Sequence, residues 1–370
     1  MQRMTMGELP QRPEINFVHG DVTAWEDVAG PEGRRFGLDE IAPRIRMGRE
    51  IWIVQAFHQL RERGWPVRLT GEMEPQAINI LHSDDLTPQP DLWRHFIVSV
   101  RADRDPSFIS QMEIVQNQTS IWSESDIHIP HWPQPGLIPR ALDRGHRMEN
   151  VVYMGNLHQL DAAFQSQRFE EELESQGMTL KLQGDRWWDY SEADLVLAVR
   201  DGSPLYRSIK PASKLVNAWQ AGCPAILSPE AAYREVRQSA LDFVEASSPE
   251  SVIQAIFELK HDPRRVQAMV DNGRERCREF QRDRITDRWV QALEDRIIPR
   301  FTTWSRTRER RPVRLRSVYL TNQLRRQAWG TRVVEAKQPL WKEHVGWIRR
   351  AVTLPRSARI GTSDLPAFPA

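Results

Sequence analysis

Short apolar runs, bounded by glycine, proline or charged residues, recur along the first two thirds of the chain, and most are too short to be helices. Ile15-Asn-Phe-Val-His-Gly20, Trp65 to Thr70, Ala77 to His82, Phe96 to Val100, Met112 to Gln116 and Ile127 to Ile129 read as strands of one sheet. Val151 to Asn156, Met178 to Gln183, Leu195 to Val199 and Leu241 to Glu245 read as strands of a second. Several, such as Leu195-Val-Leu-Ala-Val199, are continuously apolar, the pattern of parallel strands covered on both faces. Between them, helical spacing is found over Asp39 to Gly64, Ser166 to Gln176, Glu230 to Gln238, Pro249 to Lys260 and Pro263 to Phe280. Strand alternating with helix predicts an α/β fold with doubly wound parallel sheets.

A polar stretch from Pro130 to Arg147 carries Pro130, Pro133, Pro135 and Pro139 and interrupts this rhythm as a linker would. With 370 residues the chain is long enough for two cores. The expected division is an N-terminal domain over 1–135, a linker over 136–147, a second domain over 148–282, a connecting helix over 283–299 and an extension over 300–370.

Lys210-Pro-Ala-Ser-Lys-Leu-Val-Asn-Ala-Trp-Gln-Ala-Gly-Cys-Pro-Ala-Ile-Leu-Ser228 reads as loop, helix and buried strand in succession. Pro211 suits a first helical position, and Gly222 followed by Pro224 is a stop, which predicts a helix over Pro211 to Ala221. Free N–H groups and the positive dipole end at such a start form an anion site, to which Lys214 in the first turn adds a charge. Ser213 and Asn217 share one face, and Asn217 offers a donor and an acceptor to hydroxyls such as those of a ribose. A surface helix with a solvated lysine is the plainer reading of a lone lysine. The context favours the site, because Arg200-Asp-Gly follows a buried strand directly and ligands of open α/β sheets sit at such carboxyl ends. Arg200 and Lys210 are then further cations for a diphosphate.

Lys214-Leu-Val-Asn-Ala-Trp-Gln-Ala-Gly-Cys-Pro-Ala-Ile-Leu resembles the nucleotide-sugar segment of GT-B glycosyltransferases, above all the large retaining family four, whose pattern there is roughly Leu-Leu-Glu-Ala-Met-Ala-x-Gly-x-Pro-Val-Ile. The resemblance implies two Rossmann-like domains facing a cleft, with the donor held by the second and the acceptor by the first. It also implies that the chain recrosses to the first domain near its end, for which Ile285 to Ile298 has suitable apolar spacing. Asn217 stands where the second acid of the family's Glu-x7-Glu motif would be, and Ile209 stands at the first. Asp201-Gly202 resembles the family's Glu-Gly at a strand end, with extra residues before the helix. The family's usual basic pair after the first donor-domain strand is absent from Gly155-Asn-Leu-His-Gln-Leu-Asp161, which gives Arg200, Lys210 and Lys214 more weight. The expected donor-side set is Gly155, Asp201, Gly202, Lys210, Ser213, Lys214, Leu215 and Asn217.

On the first domain, His19 and Gly20 end one predicted strand, and His82 ends another with Asp84 near enough to orient it. A lone histidine at a strand end is more often a satisfied polar residue. Arg101 and Asp103 follow a third strand, and His19, Gly20, Arg101 and Asp103 are the expected acceptor side. His82, Asp84, Arg200 and Lys214 are the residues expected to act in the reaction. Asp103-Arg-Asp105 matches the Asp-x-Asp metal motif of the other glycosyltransferase architecture, but that tripeptide arises easily by chance and no metal is expected. Gly20 lacks the partners of a Gly-x-Gly-x-x-Gly fingerprint, which disfavours a dinucleotide-dependent dehydrogenase. A nucleotide-sugar or glycan-binding protein without catalysis is the stronger rival, since the Glu pair is altered. No cofactor is expected beyond the nucleotide sugar as co-substrate.

Charge changes the picture at one end only. The whole chain carries +1. Arg300 to Arg359 holds 16 lysines and arginines against three acids (Glu309, Glu335 and Glu343), a net +13 that leaves −12 for the rest. Interleaved tryptophans and aliphatics make an anionic membrane surface a candidate partner, with helices packed on the acidic body as the alternative and nucleic acid disfavoured. Cys223 and Cys277 are too few for a disulfide framework. No apolar run approaches a membrane span and Met1 to Pro13 has no apolar core, so a soluble, cytoplasmic protein, peripheral at most, is expected.

Overall fold

The computed structural model describes residues 12–30, 36–200 and 204–336. Strands β1 (Ile15–Val18), β2 (Val67–Thr70), β3 (Ile78–His82), β4 (Phe96–Val100), β5 (Met112–Val115) and β6 (Asp126–His128) form one sheet in the order β2-β1-β3-β4-β5-β6. Strands β7 (Asn150–Met154), β8 (Thr179–Gln183), β9 (Leu195–Ala198), β10 (Ala225–Leu227) and β11 (Val244–Glu245) form the other, ordered β11-β10-β9-β7-β8. All pairings within both sheets are parallel. Each sheet therefore reverses direction beside its first strand, between β1 and β3 and between β7 and β9. Crevices at the carboxyl ends of strands open at such switch points.

The helices are α1 (Glu26–Ala29), α2 (Leu38–Ile41), α3 (Gln55–Glu62), α4 (Gln167–Ser175), α5 (Pro204–Ser208), α6 (Ser213–Ala221), α7 (Ala231–Val236), α8 (Pro249–His261), α9 (Pro263–Arg276), α10 (Arg282–Ala292), α11 (Ile298–Arg310) and α12 (Pro312–Ala336). Alternate residues of a strand point to opposite faces. Val151 and Tyr153 accordingly enter a core with Phe169, Leu197 and Ile256, while Val152 and Met154 enter another with Leu215, Trp219 and Leu227. Trp289 of α10 lies 5.8 Å from Phe17 of β1, and Phe301 and Trp304 of α11 lie 5.4 and 5.6 Å from Phe96 of β4. The chain thus leaves the second sheet and returns to cover the first. This is an α/β protein with two Rossmann-like layers, consistent with the GT-B arrangement.

Local chemistry moves several element boundaries. The helical spacing of Asp39 to Gly64 is broken into α2, a 3-10 turn over Ala42–Arg44, a π-turn over Glu50–Val54 and α3; the break after α2 falls at Pro43, which supplies no N–H and whose ring obstructs the preceding turn. Helix α6 begins at Ser213 and not at Pro211, since the first domain holds the segment before it: Gln116 Nε2 donates to Ile209 O at 2.9 Å and Asn117 Nδ2 to Lys210 O at 3.0 Å. The residues that separate β9 from α6 include α5, which the apolar pattern does not announce. Strand β11 starts only at Val244, because the Asp242 carboxylate ties a turn by accepting from the N–H groups of Gln238 and Ser239 at 2.6 and 2.7 Å.

Candidate functional site

At the second switch point β7 runs into Gly155 and β9 into Arg200. Gly155 has φ +128°, where a side chain is strained, and a Cβ there would stand 3.1 Å from Lys214 Nζ. The glycine therefore admits the lysine. Lys214 reaches back from the first turn of α6, donates to Met154 O and lies 3.8 Å from the centre of the Tyr153 ring. Burial, and next the nearby Arg200, push its ammonium pKa well below the ordinary lysine value. Arg200 is also buried. Burial opposes its charge most, but Tyr233 and Glu230 outweigh that and raise its pKa. Its Nη1 donates to Glu230 Oε2 at 2.5 Å, and Ser228 Oγ donates to Glu230 Oε1 at 2.7 Å. Arg200 Nε is buried without an acceptor among the described residues.

At the first switch point two His-x-Asp segments lie side by side. In each, the histidine Nδ1 accepts the backbone N–H two residues on: Asp21 N to His19 at 3.1 Å and Asp84 N to His82 at 3.2 Å. The neutral tautomer assigned by these bonds carries its proton on Nε2. Burial, ahead of the opposing Asp84, lowers the His82 pKa and favours the neutral ring. His19 Nε2, Ser83 Oγ and Asp85 Oδ2 are buried with no hydrogen-bond partner among the described residues. Buried polar atoms are usually paired, so orphans clustered at a strand-end crevice mark a place where another molecule can supply partners. Gly20 brings the backbone close to Asp85, whose Oδ1 would lie 2.8 Å from a Cβ there.

A chain of charges joins the two edges. Arg104 clasps Asp84 through Nε at 2.7 Å and Nη2 at 2.9 Å, and also reaches Asp103 at 2.5 Å. Asp103 in turn pairs with Lys210 from the second domain. Burial, the largest influence on Asp103, raises its pKa, but Lys210 and then Arg104 bring the net below the usual carboxylate value. Ala102, at φ +49°, turns the backbone so that Asp103 faces across while Arg101 folds inward.

Arg200, Lys214 and Gly155 therefore converge, as do His19, Gly20, His82 and Asp84, with Lys210 and Asp103 bridging them. Other expectations are corrected. Leu215 is fully buried in the apolar core and offers nothing to a ligand. Arg101 does not reach the crevice wall; it pairs with Glu113 at 3.1 Å beneath the sheet edge and lies 4.0 Å from the Trp122 ring. Asn217 spends its Oδ1 on the linker, accepting from Gln134 N at 3.2 Å. His82 Nδ1 accepts the backbone N–H of Asp84 at 3.2 Å and lies 3.5 Å from Oδ2 of the same residue, whose carboxylate Arg104 holds. Ser213 lines a separate interdomain cavity of about 170 Å³ with Gln116, His128, Glu235 and Arg276. Asp201 and Gly202 lie outside the described residues.

Sequence reading overlooked Glu230, Arg104, Ser83 and Asp85. Ser228-Pro-Glu230 directly after a buried strand was a signal of the same kind as Arg200 after β9.

No family model matches this chain, and no curated protein matches it. Solved structures similar to it include Anabaena HepE in complex with UDP and glucose, 12% identical over 76% of this chain and 100% of that one at a TM-score of 0.46. Another is sucrose-phosphate synthase from Thermosynechococcus elongatus, 15% identical over 72% of this chain and 82% of that one at 0.42. A third is the pneumococcal O-GlcNAc transferase GtfA in complex with UDP and GlcNAc, 14% identical over 66% and 60% at 0.41.

Proposed function

We propose that this protein is a glycosyltransferase that moves a sugar from a nucleotide diphosphate sugar to a hydroxyl acceptor, with retention of configuration. The observation that carries the reading is the facing of two switch points, each with buried polar atoms that have no hydrogen-bond partner among the described residues: Arg200 Nε beside Lys214 on one, and His19 Nε2, Ser83 Oγ and Asp85 Oδ2 on the other. The cations suit the departing diphosphate, and the ring nitrogen and oxygen atoms suit sugar and acceptor hydroxyls. Catalysis at such a site consists of placement and of stabilising charge on the leaving group. The donor diphosphate would draw Lys214 Nζ from the Met154 carbonyl and favour its charged form.

We propose that no divalent ion takes part. Asp103 is engaged by Lys210 and Arg104, and Asp105 faces Trp329 with its carboxyl pKa raised by burial, so the two carboxylates do not converge. A nucleotide-sugar-binding protein without turnover is the second reading, favoured by the engagement of Asn217 with the linker, which removes the expected hydroxyl partner.

The test is release of nucleoside diphosphate from a panel of nucleotide sugars, with thermal stabilisation by each measured in parallel. Turnover that survives EDTA is the expected outcome. Stabilisation without release on any acceptor supports the second reading, and neither effect with any nucleotide sugar refutes both. Lys214→Ala should lower kcat/KM by about 10- to 150-fold, the equivalent of losing one charge-assisted contact of roughly 1.5–3 kcal/mol, while its melting temperature stays near that of the parent.

A further inference from the structure

Helices α11 and α12 carry an arrangement that the proposed transfer reaction does not use. From Arg300 to Trp329 there are nine arginines and one acid, Glu309. The aromatic side of these helices is packed: Phe301 and Trp304 are buried in the first core, and Tyr319 is buried among Val18, Leu81 and Ile97, its hydroxyl donating to Gln89 O at 2.6 Å. The arginines are not neutralised by that packing. Arg308 donates to the Arg94 carbonyl and the Gln76 side chain, and Arg325 donates to Asn322. Among the described residues no acidic side chain pairs with any of the nine.

The outer side of α12 carries three exposed aliphatic side chains among polar ones. Val313, Leu320 and Leu324 are exposed by 77%, 48% and 67%, and their spacing of seven and four residues puts them on one face. By the same helical geometry Arg316 flanks that stripe on one side, with Arg314 and Arg325 on the other. A stripe of exposed aliphatic side chains flanked by arginines that have no acidic partner among the described residues suits a helix lying in a bilayer interface. A nucleic acid would reward the arginines but gain nothing from Val313, Leu320 and Leu324. No helix of the described residues is long and apolar enough to cross a membrane, so the contact is peripheral.

We propose that α12, with the basic end of α11, docks on an anionic phospholipid surface, seating Val313, Leu320 and Leu324 below the headgroups while Arg310, Arg314, Arg316 and Arg325 engage lipid phosphates. The occupant follows from charge complementarity combined with the apolar stripe. The inference stands apart from the transfer reading, since it uses none of the residues at the switch points.

Flotation of the full chain with vesicles of phosphatidylcholine alone and of phosphatidylcholine with 30% phosphatidylglycerol, a composition of about physiological order, tests it. The expected result is binding to the anionic vesicles only, weakened by salt. Leu320→Asp/Leu324→Asp should reduce it by at least about tenfold, and Arg314→Glu/Arg316→Glu by at least about tenfold as well. All four positions are at least partly exposed, so thermal melts of the variants should match the parent; a variant that fails to fold is replaced by Leu320→Ser/Leu324→Ser or Arg314→Gln/Arg316→Gln. Absence of flotation by the folded parent overturns the proposal. So does binding that the leucine substitutions leave unchanged, or a preference for single-stranded RNA over vesicles in competition.

Discussion

The two carboxyl edges that face each other handle charge in opposite ways. On the second sheet Arg200 and Lys214 are driven into the interior, the first answered by a wholly buried Glu230 and the second by a carbonyl and an aromatic face. On the first sheet Asp84 and Arg104 keep much of their contact with water, with side chains 29% and 46% exposed. A buried charge needs a dedicated partner, because its desolvation costs several kcal/mol, whereas an exposed pair shares its charge with solvent and contributes little. The charges of the second edge are therefore held by dedicated buried partners, and those of the first are shared with solvent.

The sharpest way to break this comparison is Glu230→Ala. It strands the Arg200 guanidinium and should cost about 3–5 kcal/mol in urea unfolding, while the paired replacement Arg200→Met/Glu230→Leu should cost much less than the single change. A cost of Glu230→Ala below about 1 kcal/mol would mean that the pair is wet and the contrast false. Gly155→Ala sharpens it from the backbone side. A side chain at φ +128° meets Lys214 Nζ at 3.1 Å, so a loss of about 1–3 kcal/mol is expected, together with weaker nucleotide-dependent stabilisation. Adding Lys214→Ala should return part of that loss by removing the clash but leaving the strain.

The smallest effect belongs to the first edge. The hydrogen bonds from Arg104, and next burial acting the other way, leave the Asp84 carboxyl below its ordinary pKa. A depressed carboxyl stabilises the fold above the unfolded pKa, and that contribution disappears as pH falls through the folded value. Asp84→Asn should accordingly lower stability at pH 6 by less than about 1 kcal/mol and flatten the acid side of the profile, the variant and the parent converging as the pH falls to about 3.

How much of this was legible in the residues differs by level. Apolar runs located nine of the eleven strands to within about two residues and β11 less closely, and β10 followed as the buried run after the Gly222 stop, because a parallel strand has little choice but to bury both faces. The Gly-then-Pro stop after Ala221 also ended α6 where its αL cap, Gly222 at φ +75°, stands. Pattern could not show which strand-end side chains turn toward the crevice. Arg101 and Asp103 are two residues apart, yet the positive φ at Ala102 sends one inward to Glu113 and the other across to Lys210.

Sequence by itself determined the α/β class, the two sheets, the approximate position of α6 and the basic character of the last helices, because all of these follow from local periodicity, stop signals and charge counts. Only the tertiary structure decided which polar groups are left over. Asn217 was taken by the linker, Lys214 was buried against Met154, Arg200 acquired Glu230 from the N-cap of α7, and among the described residues the arginines from Arg300 to Arg326 found no acids although the body is acidic. The physical reason is that hydrogen-bond and ion-pair satisfaction is settled between residues far apart in the chain, by strand order and crossover geometry that no local window contains.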